Sequence, residues 1–363
     1  MRSFTAAGDA CWVPEHRRNM SKRLKETERW KGIVRSFQNA SITVLADLVA
    51  DEFVFGEIAR VSREAPVLIL KHRERTVVPG GGGNAVMNLA SLGVNVLPIG
   101  VVGDDEPGEL LLAAFREKKI PTVGITRLNR HVTTTKTRIL AGMSHTSRQQ
   151  VVRVDREPVP IAEGHSVLPK IAKTGRESAV ASQALLVSDY GYGAATPQLL
   201  TKIKSSAWPK DKPITLDSRY RMLEYSGATA ATPNEAEVEE ALQIKIGNDC
   251  QRLATAGEQI MARMGLESLV ITRGRDGMVA FEKNAKPLMI PIFGSDQVVD
   301  VTGAGDTVIA TFTAALATGA HTADAAQLAN FAGGIVVMKR GTATVSSGEL
   351  LAAIDRYASK KNQ

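Results

Sequence analysis

The chain has 363 residues, of which 44% are hydrophobic, and a formal net charge of +7, so it can bury the core of one large α/β domain or of two smaller ones. It holds no apolar run near the roughly 20 residues that a membrane helix needs, and no secretory signal is visible. Its two cysteines form neither a disulfide framework nor a metal-ligand spacing. We therefore expect a cytoplasmic protein without a membrane partner.

A basic extension is predicted over residues 1–40. It carries nine Lys and Arg against four Asp and Glu, whereas the remainder of the chain is nearly neutral. One helix is predicted over residues 21–37, with an apolar stripe that docks on the rest of the protein, formed by Leu24, Trp30, Ile33, Val34 and Phe37. We expect docking rather than nucleic-acid binding, because no aromatic interleaving or known nucleic-acid module accompanies the charge.

From residue 41 onward, strand and helix patterns alternate, which predicts an α/β domain over residues 41–360 with a mostly parallel sheet. Strands are predicted at 41–46, 95–103, 184–188, 213–217, 228–232 and 268–272, and helices at 84–92 and 108–118. Two β-rich regions without helices, about 53–72 and 134–154, predict a small separate sheet. It could be a lid that excludes water from a substrate, a hairpin edge or a dimer interface.

Asp47 and Asp51 follow the first predicted strand, at the edge where open parallel sheets bind ligands. Both could reach sugar hydroxyls, although a turn or cap explains Asp47 equally well. The four glycines of residues 80–83 lead into Asn84 and a predicted helix. A dinucleotide-binding turn lacks its third glycine here, and no GK[ST] sequence of a P-loop occurs in the chain. The glycine turn therefore predicts a polyhydroxylated ligand close to the backbone and the Asn84 amide.

Two later strand ends carry polar groups. Asn234 and Glu237 lie one turn apart at a helix start, which suits a hydrated Mg²⁺ and nucleotide phosphates, although an ordinary helix start explains the pair better when it is taken alone. Thr272 precedes a second glycine turn, where Arg273 and backbone N–H groups could hold phosphate. A plain hairpin turn explains that segment equally well.

The most informative segment is residues 298–306, where an apolar stretch ends in Gly303-Ala304-Gly305-Asp306 and a helix begins. The glycines allow a tight turn, so that backbone N–H groups and the positive end of the helix converge on an anion. Asp306 could accept a proton from an attacking hydroxyl, as phosphoryl transfer requires. A glycine turn followed by a capping aspartate explains the same residues.

In this order, the segments resemble the ribokinase-like, or PfkB, family of carbohydrate kinases. Its first signature is similar to Gly80, Gly81, Gly83 and Asn84, and its second to residues 300–306, with the Asn-x-x-Glu pair between them. The resemblance covers nearly everything after residue 40. It implies a three-layer αβα fold with a mostly parallel central sheet and a small β-sheet lid.

Within the family, residues 47–56, 60–67, 149–155, 188–191 and 339–346 resemble kinases that phosphorylate heptose 7-phosphate at the anomeric hydroxyl. The chain is expected to be a free-standing kinase. The sugar phosphate would be recognised by arginines of the lid region, namely Arg60, Arg138, Arg148 and Arg153. Departures from this group are Ala46, Tyr192 and residues 217–220, and the segment around 142–146 looks inserted.

The resemblance also implies roles for individual residues. Asp306 would be the catalytic base, and the backbone of Gly303, Ala304 and Gly305 the anion hole. The sugar would be held by Asp51, Gly81 and Asn84, with Asp47 beside them. Phosphate and ATP would be bound by Asn234, Thr272, Gly274 and Asn330, Mg²⁺ by Glu237 through water, and a monovalent cation such as K⁺ is left open at Asp300.

The expected enzyme is thus an ATP-dependent and Mg²⁺-dependent carbohydrate kinase, forming a homodimer through the lid and binding no nucleic acid. Two alternatives stay open at this point. One is a ribokinase-like kinase for another sugar or a nucleoside. The other is a non-catalytic sugar-sensing or nucleotide-sensing regulator, although such a protein has no need of the base Asp306.

Overall fold

The structure, a computed structural model, describes residues 20–142, 149–294 and 299–359. The helices of these residues are α1 Met20–Ser36, α2 Gly82–Ser91, α3 Glu106–Glu117, α4 Val167–Ser178, α5 Pro197–Ala207, α6 Glu235–Leu242, α7 Cys250–Met264, α8 Ala304–Ala317, α9 Thr322–Val336 and α10 Ser347–Ser359. The strands are β1 Ser41–Ala46, β2 Leu48–Val61, β3 Leu68–Gly81, β4 Asn95–Gly103, β5 Ile125–Leu128, β6 Thr135–Gly142, β7 Gln149–Arg156, β8 Ala184–Asp189, β9 Ile214–Ser218, β10 Ala230–Ala231, β11 Ser268–Thr272, β12 Met278–Glu282 and β13 Leu288–Ile290.

The central sheet has nine strands in the order β13-β12-β11-β10-β9-β8-β1-β4-β5. All neighbours pair in parallel except β11 with β12 and β12 with β13, which are antiparallel. Successive side chains of a strand point to opposite faces, so Ile42 and Val44 of β1 pack in one hydrophobic core and Leu45 in the other. Helices cover both faces, and the expected three-layer αβα fold is confirmed.

The second sheet has four strands in the order β3-β2-β6-β7. It confirms the small separate β-sheet predicted from residues 53–72 and 134–154. It joins the central domain at Leu48 and Gly81, which pair at the base of the β2–β3 hairpin. Every residue of β7 is exposed, and Val151, Val152 and Val154 present an apolar edge to solvent.

The helix of the N-terminal extension packs against α9 and α10. Trp30 is 2% exposed, its indole N–H donates to Asp324 at 2.7 Å, and its ring lies edge-on to Phe331. Arg29 holds the same Asp324 carboxylate through two hydrogen bonds of 2.7 Å. The predicted docking stripe is therefore right for Trp30, Val34 and Phe37, which are buried, but wrong for Leu24, which is 50% exposed. Residues 1–19 lie outside the described residues.

Most predicted elements occur with small shifts of their ends. β1, β4 and β11 have the predicted bounds, whereas β10 keeps only two residues of the predicted 228–232. α2 begins at Gly82, inside the glycine run, two residues before its predicted start. Among the residues that the structure describes, no helix is both long and apolar enough to cross a membrane.

Candidate active site

The predicted site residues gather where the parallel strands β1, β8, β9, β10 and β11 end. Two further elements complete the site, namely the glycine turn that leads into α2 and the N-terminus of α8. The first N–H groups of a helix have no acceptor within the helix. The junction therefore presents backbone donors and the positive end of the α8 dipole to one point in space.

Gly303 is the N-cap of α8 and has a left-handed backbone conformation with φ of 76°. A Cβ atom at this position would lie 2.3 Å from the amide nitrogen of Asn84, so both the conformation and the space require glycine. At Gly305, by contrast, a Cβ would meet no atom of the described residues within 4 Å. The Gly303–Gly305 turn is thus closed on the Asn84 side and open on the other, where a ligand can approach.

Asp306, in the first turn of α8, is only 4% exposed and has two neutral donors. Asn84 donates to one carboxylate oxygen at 3.0 Å, and the Tyr190 hydroxyl donates to the other at 2.8 Å. Burial raises the pKa of Asp306 to about 7, with these two hydrogen bonds opposing the rise. A carboxyl group with this pKa is balanced between acid and base near neutral pH, which suits general-base catalysis.

Asp51 lies on β2 and is 4% exposed. Arg138 of β6 forms an ion pair with it at 2.6 Å, and the Thr342 hydroxyl donates to its other oxygen at 2.9 Å. At Gly80 a Cβ would come within 2.4 Å of that carboxylate, so the glycine run allows the hairpin backbone to close onto Asp51. This arrangement orients Asp51 at the junction of the four-stranded sheet and the central domain.

Asp47 is 1% exposed and is surrounded by backbone donors. One of its oxygens accepts from the N–H groups of Tyr190 and Tyr192, both at 2.9 Å, and the other from Ala194 at 2.8 Å and Ala195 at 3.3 Å. Burial, and after it repulsion from the Asp189 carboxylate, raises the pKa of Asp47 to about 6. Asp47 thus holds the loop that carries Tyr190, a role closer to the turn-or-cap interpretation than to direct sugar contact.

Gly81 immediately precedes α2, and the Tyr190 ring lies 3.4 Å from where a side chain would begin. Gly81, Asn84, Tyr190 and Asp306 therefore lie next to one another where the four-stranded sheet joins the central domain, with Asn84 and Asp306 buried. A side chain at position 81 would meet the Tyr190 ring and narrow the space.

A cavity of about 100 Å³ adjoins Gly305. Asn234, Glu237 and Thr272 line it together with Gly305, so the structure brings these four predicted residues together. Asn234 and Glu237 form a capping box at the start of α6, with two reciprocal hydrogen bonds of 2.9 Å. The helix-start interpretation is therefore correct, and it does not compete with ligand binding, because the capped Glu237 still lines the cavity.

The same cavity holds charged groups to which the sequence assigned no role, although residues 217–220 were noted as a departure from the heptose-kinase pattern. Asp217 at the end of β9 and Arg219 line it. Burial, followed by the negative charges of Asp306, Glu237 and Asp189, raises the pKa of Asp217 well above its usual value. Burial also raises the pKa of Glu237, with Arg219 among the groups opposing the rise. Such a concentration of carboxyl groups favours a bound cation.

No group of three or more His, Cys, Asp or Glu side chains within 20–142, 149–294 and 299–359 is arranged to hold a metal ion on its own. Mg²⁺ in nucleotide sites typically uses one or two carboxylates, water and the phosphates. Glu237 and the neighbouring Asp217 fit that pattern. Thr232, whose buried hydroxyl has no hydrogen-bond partner among the described residues, also lines the cavity and could bind one of the waters.

Four predicted residues do not line this cavity. The Asn330 amide donates to the carbonyl of Pro291 at 2.9 Å and so ties α9 to the segment after β13. Gly274 begins a short 3₁₀ turn between β11 and β12, where the hairpin interpretation is correct. Arg273, offered as a phosphate contact, is paired with Glu235 at 2.6 Å. Asp300 accepts the N–H groups of Thr302 and Gly341, each at 2.9 Å.

Burial of Asp300 opposes its ionisation, but the backbone donors prevail and lower its pKa. The carboxylate therefore stays charged beside the turn before α8, as a cation ligand must. The sequence reasoning left Tyr190, Asp217 and Arg219 without a role. Tyr190 directly follows β8, Asp217 is the penultimate residue of β9 and Arg219 directly follows it, so the strand-end rule that selected Asp47 and Asp51 would also have found them.

Comparison with known proteins agrees with this geometry. Residues 49–348 match the family described as pfkB family carbohydrate kinase. The chain is 38% identical over 326 residues to the bifunctional protein HldE of Pelobacter propionicus, covering 89% of this chain and 65% of that protein. It is 41% identical over 313 residues to HldE of Geobacter metallireducens, covering 86% and 62%. The chain thus spans less than two thirds of the length of these relatives.

Solved structures show the same fold at low sequence identity. Arabidopsis thaliana ribokinase complexed with ribose and ATP superposes with a TM-score of 0.65 at 18% identity, over 87% of this chain and 98% of that one. Escherichia coli phosphofructokinase-2 in complex with potassium gives a TM-score of 0.71 at 15% identity, over 88% and 99%. The ribokinase-like architecture expected from the sequence is confirmed by these neighbours.

Proposed function

The chain belongs to the pfkB family of carbohydrate kinases, and from this premise we propose that it transfers the γ-phosphoryl group of ATP to the anomeric hydroxyl of heptose 7-phosphate. The observation that carries the proposal is the buried Asp306 carboxyl at the N-terminus of α8, beside the open side of the Gly303–Gly305 turn. A base and an anion hole lie next to each other there, as phosphoryl transfer needs.

The proposed reaction proceeds by direct displacement. The acceptor hydroxyl gives its proton to Asp306 while its oxygen attacks the γ-phosphorus, and the bond between that phosphorus and the β,γ-bridging oxygen breaks to release ADP. A carboxylate has about four acceptor positions, of which Asn84 and Tyr190 occupy two. The N–H groups at Gly303 and Gly305 would stabilise the charge of the transferring group, whereas the Ala304 N–H already donates to the Val301 carbonyl at 3.2 Å.

ATP would lie with its phosphates toward the cavity of Asn234, Glu237 and Thr272, and with its nucleoside toward Gly274 and Asn330. Mg²⁺, held by Glu237 through water and by the phosphates, would neutralise the charge on the bridging oxygens. Arg219 adds a positive charge at the same cavity. A monovalent cation at Asp300, beside the turn that forms the anion hole, is part of the same proposal.

The acceptor would lie on the Gly81–Asn84 surface, under the lid and against Asp51. Its phosphate end would meet Arg138 and Arg153, which are directly opposite each other on β6 and β7. Like charges at facing positions repel, and a phosphate between them would remove that repulsion. Arg60 lies nine residues beyond Asp51 on the same long strand, roughly 30 Å away, so the structure does not bring it to this site. Arg148 lies outside the described residues.

The structure also favours the neutral-sugar alternative in one respect. Both arginines already have carboxylate partners, Arg138 with Asp51 and Arg153 with Asp155, each at 2.6 Å. A phosphorylated sugar would have to compete with these ion pairs. We therefore keep a kinase for a neutral sugar or nucleoside as the second candidate, and include in the proposal a cytoplasmic homodimer formed through the exposed lid edge.

The deciding experiment measures ADP release and follows the product by ³¹P NMR, with heptose 7-phosphate and the unphosphorylated heptose as acceptors. A charge-assisted contact of about 1.5–3 kcal/mol predicts at least a tenfold higher kcat/KM for the phosphorylated sugar. A new phosphate coupled to the anomeric proton would identify the position of transfer. Equal kcat/KM for both acceptors would favour the neutral-sugar candidate, and absence of ADP release with every sugar tested would contradict kinase activity.

A further inference from the structure

We propose that Asn88 is a positioning residue, which sets the direction of the Asn84 amide and thereby keeps an N–H donor on Asp306. The inference rests on the proposed role of Asp306 as the base. Asn88 lies on α2, one turn after Asn84, and is fully buried. None of its hydrogen bonds to the described residues goes to Asp306, and no motif identified in the sequence gives it a role.

The direction of the Asn88 amide is dictated by the backbone. Its oxygen accepts the N–H of Val345 at 3.2 Å and the hydroxyl of Thr307 at 3.1 Å. A backbone N–H can only donate, so the oxygen of Asn88 has to face Val345. The amide nitrogen of Asn88 must then point the opposite way, toward Asn84.

The Asn88 nitrogen in turn fixes the orientation of the Asn84 amide. It donates to the backbone carbonyl of Asn84 at 3.0 Å and to its side-chain oxygen at 3.1 Å. The side-chain nitrogen of Asn84 therefore faces Asp306 at 3.0 Å and the carbonyl of Gly303 at 3.3 Å. A reversed Asn84 amide would place its oxygen against the Asp306 carboxylate and its nitrogen against that of Asn88, so two attractive contacts would become repulsive.

The Val345–Asn88–Asn84–Asp306 relay thus joins three segments that are distant in sequence. Other groups also act on Asp306, namely the Tyr190 hydroxyl, the Asp51 carboxylate with its partner Arg138, and Asp217 with the nearby Arg219. Within the described part of the chain, Asn88 forms hydrogen bonds with Asn84, Thr307 and Val345 and with none of these groups. A change confined to Asn88 therefore alters the donor on Asp306 while leaving these charges in place.

The test is Asn88→Leu, which keeps the approximate shape of the side chain and removes the hydrogen bonds from Val345 to residue 88 and from residue 88 to Asn84. With the Asn84 amide free to turn, we expect kcat to fall about tenfold and the acid limb of the pH–rate profile to move up by about one pH unit, because a lost donor no longer favours the ionised carboxylate. The KM for ATP should stay within about twofold. An unmoved acid limb would overturn the inference.

Thr311→Val is the matched control. Thr311 is buried on the next turn of α8, and its hydroxyl donates to the Thr307 carbonyl at 2.9 Å rather than to the relay. This variant also removes a buried polar group, but it should keep the wild-type pH profile. If Asn88→Leu does not fold, Asn88→Ser serves instead, because its side chain is too short to join Val345 to Asn84.

A measurement without turnover separates this inference from the proposed function. The difference in unfolding free energy between the wild type and Asp306→Asn should change with pH and become constant above the pKa of Asp306. In the Asn88→Leu background the pH at which it becomes constant should be about one unit higher. A wild type without kinase activity would refute the proposed function, whereas an unchanged levelling pH would refute the role of Asn88.

Discussion

Replacing Asp306 with Asn should have opposite effects on catalysis and on stability. The variant loses the proton acceptor, and loss of a general base typically lowers the rate by about 10² to 10⁴. It also removes a carboxyl group that folding buries. Since the pKa of Asp306 is about 7 in the folded protein and about 4 in an unfolded chain, the folded state binds a proton more tightly than the unfolded state.

The sign of the stability effect follows from this difference. The contribution of Asp306 to the free energy of unfolding is fully present below about pH 4 and is lost as the pH rises to about 7. A shift of about three pKa units corresponds to about 4 kcal/mol, which is the upper limit for the gain in Asp306→Asn. The variant should therefore be more stable than the wild type at pH 8 and similar at pH 4.

Steady-state rates and chemical unfolding from pH 4 to 9 test both effects. Asp211→Asn, at an exposed position, is the matched control and should change neither the rate nor its pH dependence. A near wild-type kcat in Asp306→Asn would refute the assignment of the base. A stability difference that does not vary with pH would refute the conclusion that folding buries this carboxyl group at a cost.

Three further outcomes follow. In the wild type, kcat/KM should fall about tenfold per pH unit below pH 7 as Asp306 is protonated; a profile flat down to pH 5 would contradict the pKa of about 7. Gly303→Ala should lose most activity while remaining folded, because a positive φ strains alanine by about 1–3 kcal/mol and its Cβ meets Asn84; unchanged kcat would show that the turn tolerates a side chain. Trp30→Ala should lower the unfolding free energy by about 3–5 kcal/mol, whereas deletion of residues 1–19 should leave activity unchanged; equal thermal stability of Trp30→Ala and the wild type would refute docking of α1.

Particular residues show how far the sequence could lead. The bounds of β1, β4 and β11 follow from local apolar runs and the turn residues beside them, because a buried strand needs apolar side chains on both faces. The predicted strand over 228–232 is longer than the two-residue β10, because the flanking residues Ala228 and Thr232 are also buried although they lie outside the strand. The prediction that Leu24 is buried was wrong for a related reason. Helical periodicity identifies which side chains share a face, but not how far along the helix the surface that covers this face extends.

In the candidate active site, too, the sequence predicted some features and not others. The strand ends and the glycine turn before α8 brought Asn234, Glu237, Thr272 and Gly305 to one cavity, as the strand-end rule predicts. The partners of individual carboxylates were not predictable. Asp47 is enclosed by four backbone N–H groups of one loop, and Arg138 is paired with Asp51. These contacts depend on the path of the loop after β8 and on how the four-stranded sheet joins the central domain, and no local sequence pattern determines either.

The sequence by itself determined the alternation of strands and helices, the two glycine turns and the carboxylate at the start of α8, because each of these is a local property of the backbone and of side-chain periodicity. Only the tertiary structure decided what surrounds that carboxylate. Tyr190 and Asn84, which donate to Asp306, are 116 and 222 residues away from it along the chain. Their hydrogen bonds, and the burial that brings the pKa of Asp306 near neutrality, exist only when α2, α8 and the end of β8 are packed together.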